Sequence, residues 1–173
     1  MKKTMNGALI LTISALIAKF LSAVYRIPFQ NIVGNTGFYV YQQIYPIYGI
    51  GMTFALNGFP VFISKLVAQE DDEEKRMQVV STAFLILLSL AVLLFFGLQV
   101  GAKQIARSMG DSQLAPLISS VSWMFLLMPF LAIARGYYQG TFNMIPTAVS
   151  QVSEQFVRVA LIIGVALLSL QMK

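Results

Sequence analysis

The chain has no cysteine and no histidine, and only 11% of its 173 residues are charged. Without cysteine there are no disulfides, no thiolate metal sites and no cysteine nucleophile. Without histidine the commonest metal ligand and the commonest general base are missing as well. There is no phosphate loop of the Gly-x-x-x-x-Gly-Lys type and no acidic metal pair, so the sequence shows neither an ATP-driven motor nor a metal-dependent phosphotransferase. The chain is not expected to be an enzyme or to need a cofactor or metal. Its pI near 9.6 arises from cations scattered singly or in pairs. A nucleic-acid partner would call for a basic run instead.

What the chain has in excess is apolar length. Hydrophobic residues make up 57% and the mean hydropathy is +0.74, whereas about a quarter of a soluble chain is charged. Five windows reach the ~20 apolar residues that cross a hydrocarbon core: Leu9–Tyr25, Ile44–Val67, Val79–Val100, Leu114–Ala134 and Thr147–Leu170. Water cannot satisfy backbone groups in that core, so each window is expected to be helical. The predicted fold is an all-α polytopic membrane bundle of about five transmembrane helices. Lys2 and Lys3 precede the first run as in a signal peptide, but Lys19 interrupts it and no small-x-small cleavage site follows, so it reads as a retained helix.

With Lys2 and Lys3 held in the cytoplasm, five crossings leave the C-terminus outside. The loop 27–43 then faces out, the acidic turn 68–76 in, 103–112 out and 135–146 in. Six cations against four favour this orientation. The acidic run Glu70–Glu74 reads as a solvated turn. Pro46 and Pro60 both fall in the second window with Asn57 between them. Proline removes a donor and clashes with the carbonyl four residues back, so this helix is expected to bend or break. Broken backbone at membrane depth survives only inside protein or along a watery cavity. Tyr39, Tyr41, Tyr45 and Tyr48 suit an interfacial aromatic belt or, for one or two of them, a stacking role at the outer mouth.

Charges inside the spans cost roughly 2.5–3.5 kcal/mol each on insertion scales, so each needs a partner, an escape or a task. Lys19 and Arg26 are seven residues apart, which brings them within about 20° of one helix face, with about 10 Å of rise between them. They form either a cationic ladder facing a cavity or a pair that snorkels to the headgroups. Glu154 precedes Arg158 by four residues, the favourable order for a pair along one helical turn. That pair either neutralises an inward stripe or touches ligand directly. Together the four charges suit an anionic, phosphate-bearing substrate, because a guanidinium holds phosphate in a bidentate fork.

Several motifs then carry a resemblance. Tyr25-Arg-Ile-Pro28, Gly34-Asn-Thr-Gly37, Tyr41-Gln-Gln-Ile-Tyr-Pro-Ile-Tyr48 and Asn57-Gly-Phe-Pro-Val-Phe-Ile-Ser-Lys-Leu-Val67 resemble the polysaccharide-biosynthesis flippases. So do Ala134-Arg-Gly-Tyr-Tyr-Gln-Gly-Thr-Phe-Asn-Met-Ile-Pro-Thr-Ala148 and Ser150-Gln-Val-Ser-Glu-Gln-Phe-Val-Arg-Val159. The branch is that of stage V sporulation protein B-like and MurJ-like lipid II flippases, in the multidrug/oligosaccharidyl-lipid/polysaccharide exporter superfamily.

The resemblance implies a multi-pass transporter of the bacterial cytoplasmic membrane. It would move undecaprenyl-diphosphate-linked sugars outward by alternating access, with first-helix cations facing the cavity. Lys19 and Arg26 inherit that role, and Glu154 and Arg158 inherit it more weakly. Family members have two six-helix lobes, so residues 1–173 are expected to form most of an N-terminal lobe whose C-terminal partner is missing or supplied in trans. Two alternatives are a cation-coupled multidrug exporter fragment relying on Glu154, and a non-transporting scaffold for envelope synthesis.

Overall fold

The computed structural model describes the backbone of residues 2–24 and 26–171, and side chains except those of 2–6, 8, 26–28, 56, 57 and 165–171. The described residues are helical throughout, with short turns and no strand: α1 (Lys2–Val24), α2 (Arg26–Thr53), α3 (Phe59–Gln69), α4 (Glu73–Ser108), α5 (Ala115–Gly140) and α6 (Ile145–Gln171). Among the described residues, two helical stretches are long and apolar enough to cross a membrane, Glu73–Ser108 and Ser112–Gly140. A bent pair, Leu9–Val24 with Phe29–Thr53, makes a third if it counts as one span. The architecture is an all-α membrane bundle. It divides into two compact units, residues 1–42 with 142–173, and residues 43–141.

In the first unit α1 packs along α6. The approach is close at Gly7, where a Cβ would stand 2.8 Å from Met144 Cγ. The stretch expected as an outer loop, 27–43, is largely helical instead, as the first part of α2. Gly34 breaks that helix with φ 70° and ψ −178°, a left-handed conformation that glycine adopts without steric cost. Phe29 and Tyr41 would stand about 18 Å apart along a straight helix. Their ring centroids are 5.2 Å apart, edge to face, so the chain doubles back at Gly34 and closes over an aromatic contact.

In the second unit α3 and α4 both pack on α5. Ile63, Val67, Leu87 and Ala132 form one core cluster, and Ala55, Phe125 and Met128 form another. Gly136 and Gly140 let α5 lie directly against α3. A Cβ on Gly136 would meet Ile63 Cβ at 2.6 Å, and one on Gly140 would meet Ser64 O at 2.8 Å. Small residues four apart are the usual means of close helix approach in lipid, where packing rather than hydrophobicity drives association.

The second expected span breaks at one of its two prolines. Phe54–Gly58 forms a π-helical turn, in which the Phe59 N–H reaches Phe54 O, and buried Pro60 opens α3. Pro60 has no N–H to give and would press on the carbonyl of Leu56, and widening the preceding turn relieves both problems. Pro46 stays inside α2 and is exposed. The side chain of Asn57 lies outside the described ones.

α4 is longer than its apolar window. Its 36 residues measure roughly 54 Å against a hydrocarbon core of about 30 Å. Asp72 caps its start, accepting from the Glu74 N–H at 3.0 Å, and Glu73 and Glu74 in the first turn suit the positive end of the helix dipole. Lys103 and Arg107, expected in a loop, belong to its last turns, where cations are favoured. Leu85, Leu93, Phe96 and Val100 are all exposed on it, as a lipid-facing surface requires.

Arg135 is the largest departure from the sequence reading. Expected in an inner loop, it lies within α5 and is 2% exposed. The helix runs on to Gly140, and the connection to α6 shrinks to 141–144.

Candidate functional site

Two of the four residues singled out by charge, Glu154 and Arg158, lie together on α6, the helix that packs along α1. α6 carries Gln151, Gln155 and Arg158 at intervals of four and three, which keeps them on one helical face. Buried Ser14 donates through Oγ to Gln151 Oε1 at 2.9 Å, and Ser22 donates to Gln155 Oε1 at 2.8 Å. Arg158 donates through Nη2 to Glu154 Oε1 at 2.6 Å and through Nη1 to Gln155 Oε1 at 3.5 Å. The seam thus links Ser22, Gln155, Arg158 and Glu154 in one network.

The order of contacts fixes the direction of the helices. Gly7 meets Met144 and Ser14 meets Gln151, an offset of 137 in both cases. Sequence numbers rise together along the seam, so α1 and α6 run parallel.

Glu154 and Arg158 form the expected ion pair, and their side chains are 24% and 22% exposed. A half-buried pair in an apolar helix lowers the cost of each charge without removing both from water, the arrangement expected where a helix borders a wet cavity. Each Nη of Arg158 meets a different oxygen. A phosphate arriving at this guanidinium would compete with Glu154 for one edge of the fork.

Lys19 is not part of this network. It is exposed, and on α1 it stands about 140° from Ser14 and about 60° from Ser22, beside the stripe that packs on α6. The side chain of Arg26 lies outside the described ones. Pro46 and Pro60 belong to the second unit. No group of three or more carboxylates able to hold a metal occurs among the described residues.

Ser14 and Ser22 escaped the sequence reading, although two hydroxyls about two turns apart in an apolar run were the available signal. A second polar contact, between α4 and α5, was also missed: Gln99 Nε2 donates to Ser122 Oγ at 3.0 Å and to Ser119 O at 3.2 Å. With Ser122 fully buried, this contact acts as an interhelical staple between α4 and α5.

The sequence of the chain is similar to those of known proteins. A family model described as polysaccharide biosynthesis protein matches residues 4–172. Three relatives from Bacillus subtilis (strain 168) align over nearly the whole chain. The uncharacterized membrane protein YabM is 48% identical over 161 residues, covering 93% of this chain and 30% of that protein. Lipid II flippase MurJ is 32% identical over 181 residues, covering 98% and 33%. Stage V sporulation protein B is 33% identical over 171 residues, covering 91% and 31%. The chain therefore spans about a third of the length of the curated relatives it matches. No solved structure matches it.

Proposed function

We propose a function from one premise: the chain belongs to the polysaccharide biosynthesis protein family. It forms most of one lobe of a flippase that moves undecaprenyl-diphosphate-linked cell-wall or polysaccharide units across the bacterial cytoplasmic membrane. A second lobe completes the transporter, since rocking of one repeat against another needs both. The observation that carries this reading is the parallel α1–α6 seam with Arg158 paired in it at 2.6 Å. A paired, part-exposed guanidinium inside an apolar bundle is a costly feature, and recognition of a diphosphate accounts for it. Lys19, on α1, and Arg26, which opens α2 rather than continuing the α1 face expected from sequence, extend the positive surface to which that diphosphate is drawn.

The parallel packing supports the five-span arrangement. α1 and α6 run in one direction only if the number of crossings between them is odd, and the broken α2–α3 span, α4 and α5 supply three. Counting α1 with α2 as a single span would leave α6 antiparallel to α1. The multidrug alternative is weaker because its cation-binding acid, Glu154, is already bonded to Arg158.

The test is translocation in proteoliposomes carrying the chain together with its second lobe, using a fluorescent undecaprenyl-diphosphate sugar and a membrane-impermeant quencher. Label should become protected or exposed faster than in empty vesicles. Transport of a lipophilic cation drug without movement of the lipid would replace this reading with the multidrug one. Movement of neither would leave the scaffold reading.

A further inference from the structure

Between α3 and α4 lies a cavity of about 700 Å³, within the usual range for enclosing a small amphiphile. Its two walls descend together from one charged end. Glu70, directly after α3, and Lys75, in the first turn of α4, stand at the mouth. Below Lys75 the α4 wall continues through Gln78, Thr82 and Ile86, positions three to four apart that stay on one face. Opposite, the α3 wall continues through Leu66, Phe62 and Phe59.

From Lys75 to Ile86 the groove runs about 17 Å at 1.5 Å per residue, close to the ~15 Å of one leaflet's hydrocarbon. Polarity falls along it in the order of a glycerophospholipid: charged headgroup, hydrogen-bonding ester level, apolar tail. Phe62 is 61% exposed and Ile86 63%, so the groove opens sideways to lipid.

We infer that this groove is a binding site for a zwitterionic phospholipid of the phosphatidylethanolamine type. Its ammonium meets Glu70, its phosphate meets Lys75, and a tail lies along Phe62, Phe59 and Ile86. Charge complementarity selects this occupant. The mouth presents one acid and one base, and the flanking exposed run Asp71, Asp72, Glu73 and Glu74 repels a headgroup of net negative charge. The mouth is also braced. Arg76 donates through Nη2 to Glu70 O at 2.7 Å and through Nη1 to Glu73 Oε2 at 2.8 Å, which holds the turn carrying Glu70 and Lys75. This site is separate from the α1–α6 seam and does not depend on the transport reading.

The experiment is native mass spectrometry of the whole chain, titrated with phosphatidylethanolamine or phosphatidylglycerol bearing identical tails. Phosphatidylethanolamine should bind one to one and more tightly than phosphatidylglycerol. Glu70→Gln should weaken it about tenfold, the loss of one charge-assisted hydrogen bond, and should erase the preference between headgroups. Lys75→Gln should weaken both lipids. Thr82→Trp, at an exposed position inside the groove, should block both while the headgroup residues stay intact, and it decides the matter should Glu70→Gln fail to accumulate. Equal affinity for the two lipids in the unmodified chain, or full binding by Thr82→Trp, would overturn the assignment.

Discussion

Replacing Gly140 with leucine is expected to remove most of the folded protein from the membrane. At this position α5 lies on α3 so closely that a Cβ would fall 2.8 Å from Ser64 O and 2.6 Å from Val67 Cβ. Val67 is fully buried, and the oxygen belongs to helix backbone, so neither neighbour can move aside cheaply. Leucine adds three further carbons to that clash. The cost should reach about 3 kcal/mol, the upper part of the overpacking range. Gly136→Leu should behave similarly, since its Cβ would meet Ile63 Cβ at 2.6 Å and Pro60 O at 3.2 Å. Gly97→Leu is the matched control, because nothing lies within 4 Å of a Cβ there. Membrane abundance and detergent melting of the three variants check this. Normal accumulation of Gly140→Leu would mean that α3 and α5 do not pack in this way.

Glu154→Gln should lower both abundance and transport, and Arg158→Gln added to it should restore abundance alone. The single change removes the carboxylate bonded to the Arg158 guanidinium at 2.6 Å and leaves the cation beside the neutral oxygen of Gln155. Breaking fully buried pairs costs about 3–5 kcal/mol; with about a quarter of each side chain exposed, water screens this one, and about 1–2 kcal/mol is expected. Removing Arg158 as well eliminates that penalty, so the double variant should insert and accumulate as the parent does. If the guanidinium also serves the diphosphate, transport stays lost. Recovery of transport together with abundance would make the pair a structural clasp and nothing more.

Much of the fold was legible because the bilayer leaves the backbone so few options. Apolar runs of helical length became α1 and α4–α6, and Pro60 sits where the second span breaks. The i, i+4 spacing of Glu154 and Arg158 predicted a contact that one helical turn then made. In the sequence, residues 27–43 read as a loop because they fall between two apolar windows. Those same residues form two helical pieces folded about Gly34, and the aromatic contacts that stabilise them are tertiary.

The sequence puts Arg135 in a loop because the fourth apolar window ends at Ala134. Its burial follows from the continuation of α5 to Gly140 along α3, a packing arrangement hinted at only by the two glycines four apart. For Lys19, periodicity places it beside Arg26. It cannot show that α6 covers Ser14 and Ser22 while Lys19 stays exposed.

The cationic-path account is tested most directly by complementation of a flippase-depleted bacterial strain. The chain is expressed with its second lobe, carrying Lys19→Ala or Arg26→Ala, and protein level is measured in the same cells. Each substitution removes a charge that opposes insertion, by up to ~2.5–3.5 kcal/mol at a central position, so abundance should hold or rise while growth fails. Arg26→Lys, which keeps the charge and loses the planar fork, should rescue in part. Full growth of both alanine variants at normal abundance would contradict the account and leave Lys19 and Arg26 as side chains that snorkel to the headgroups.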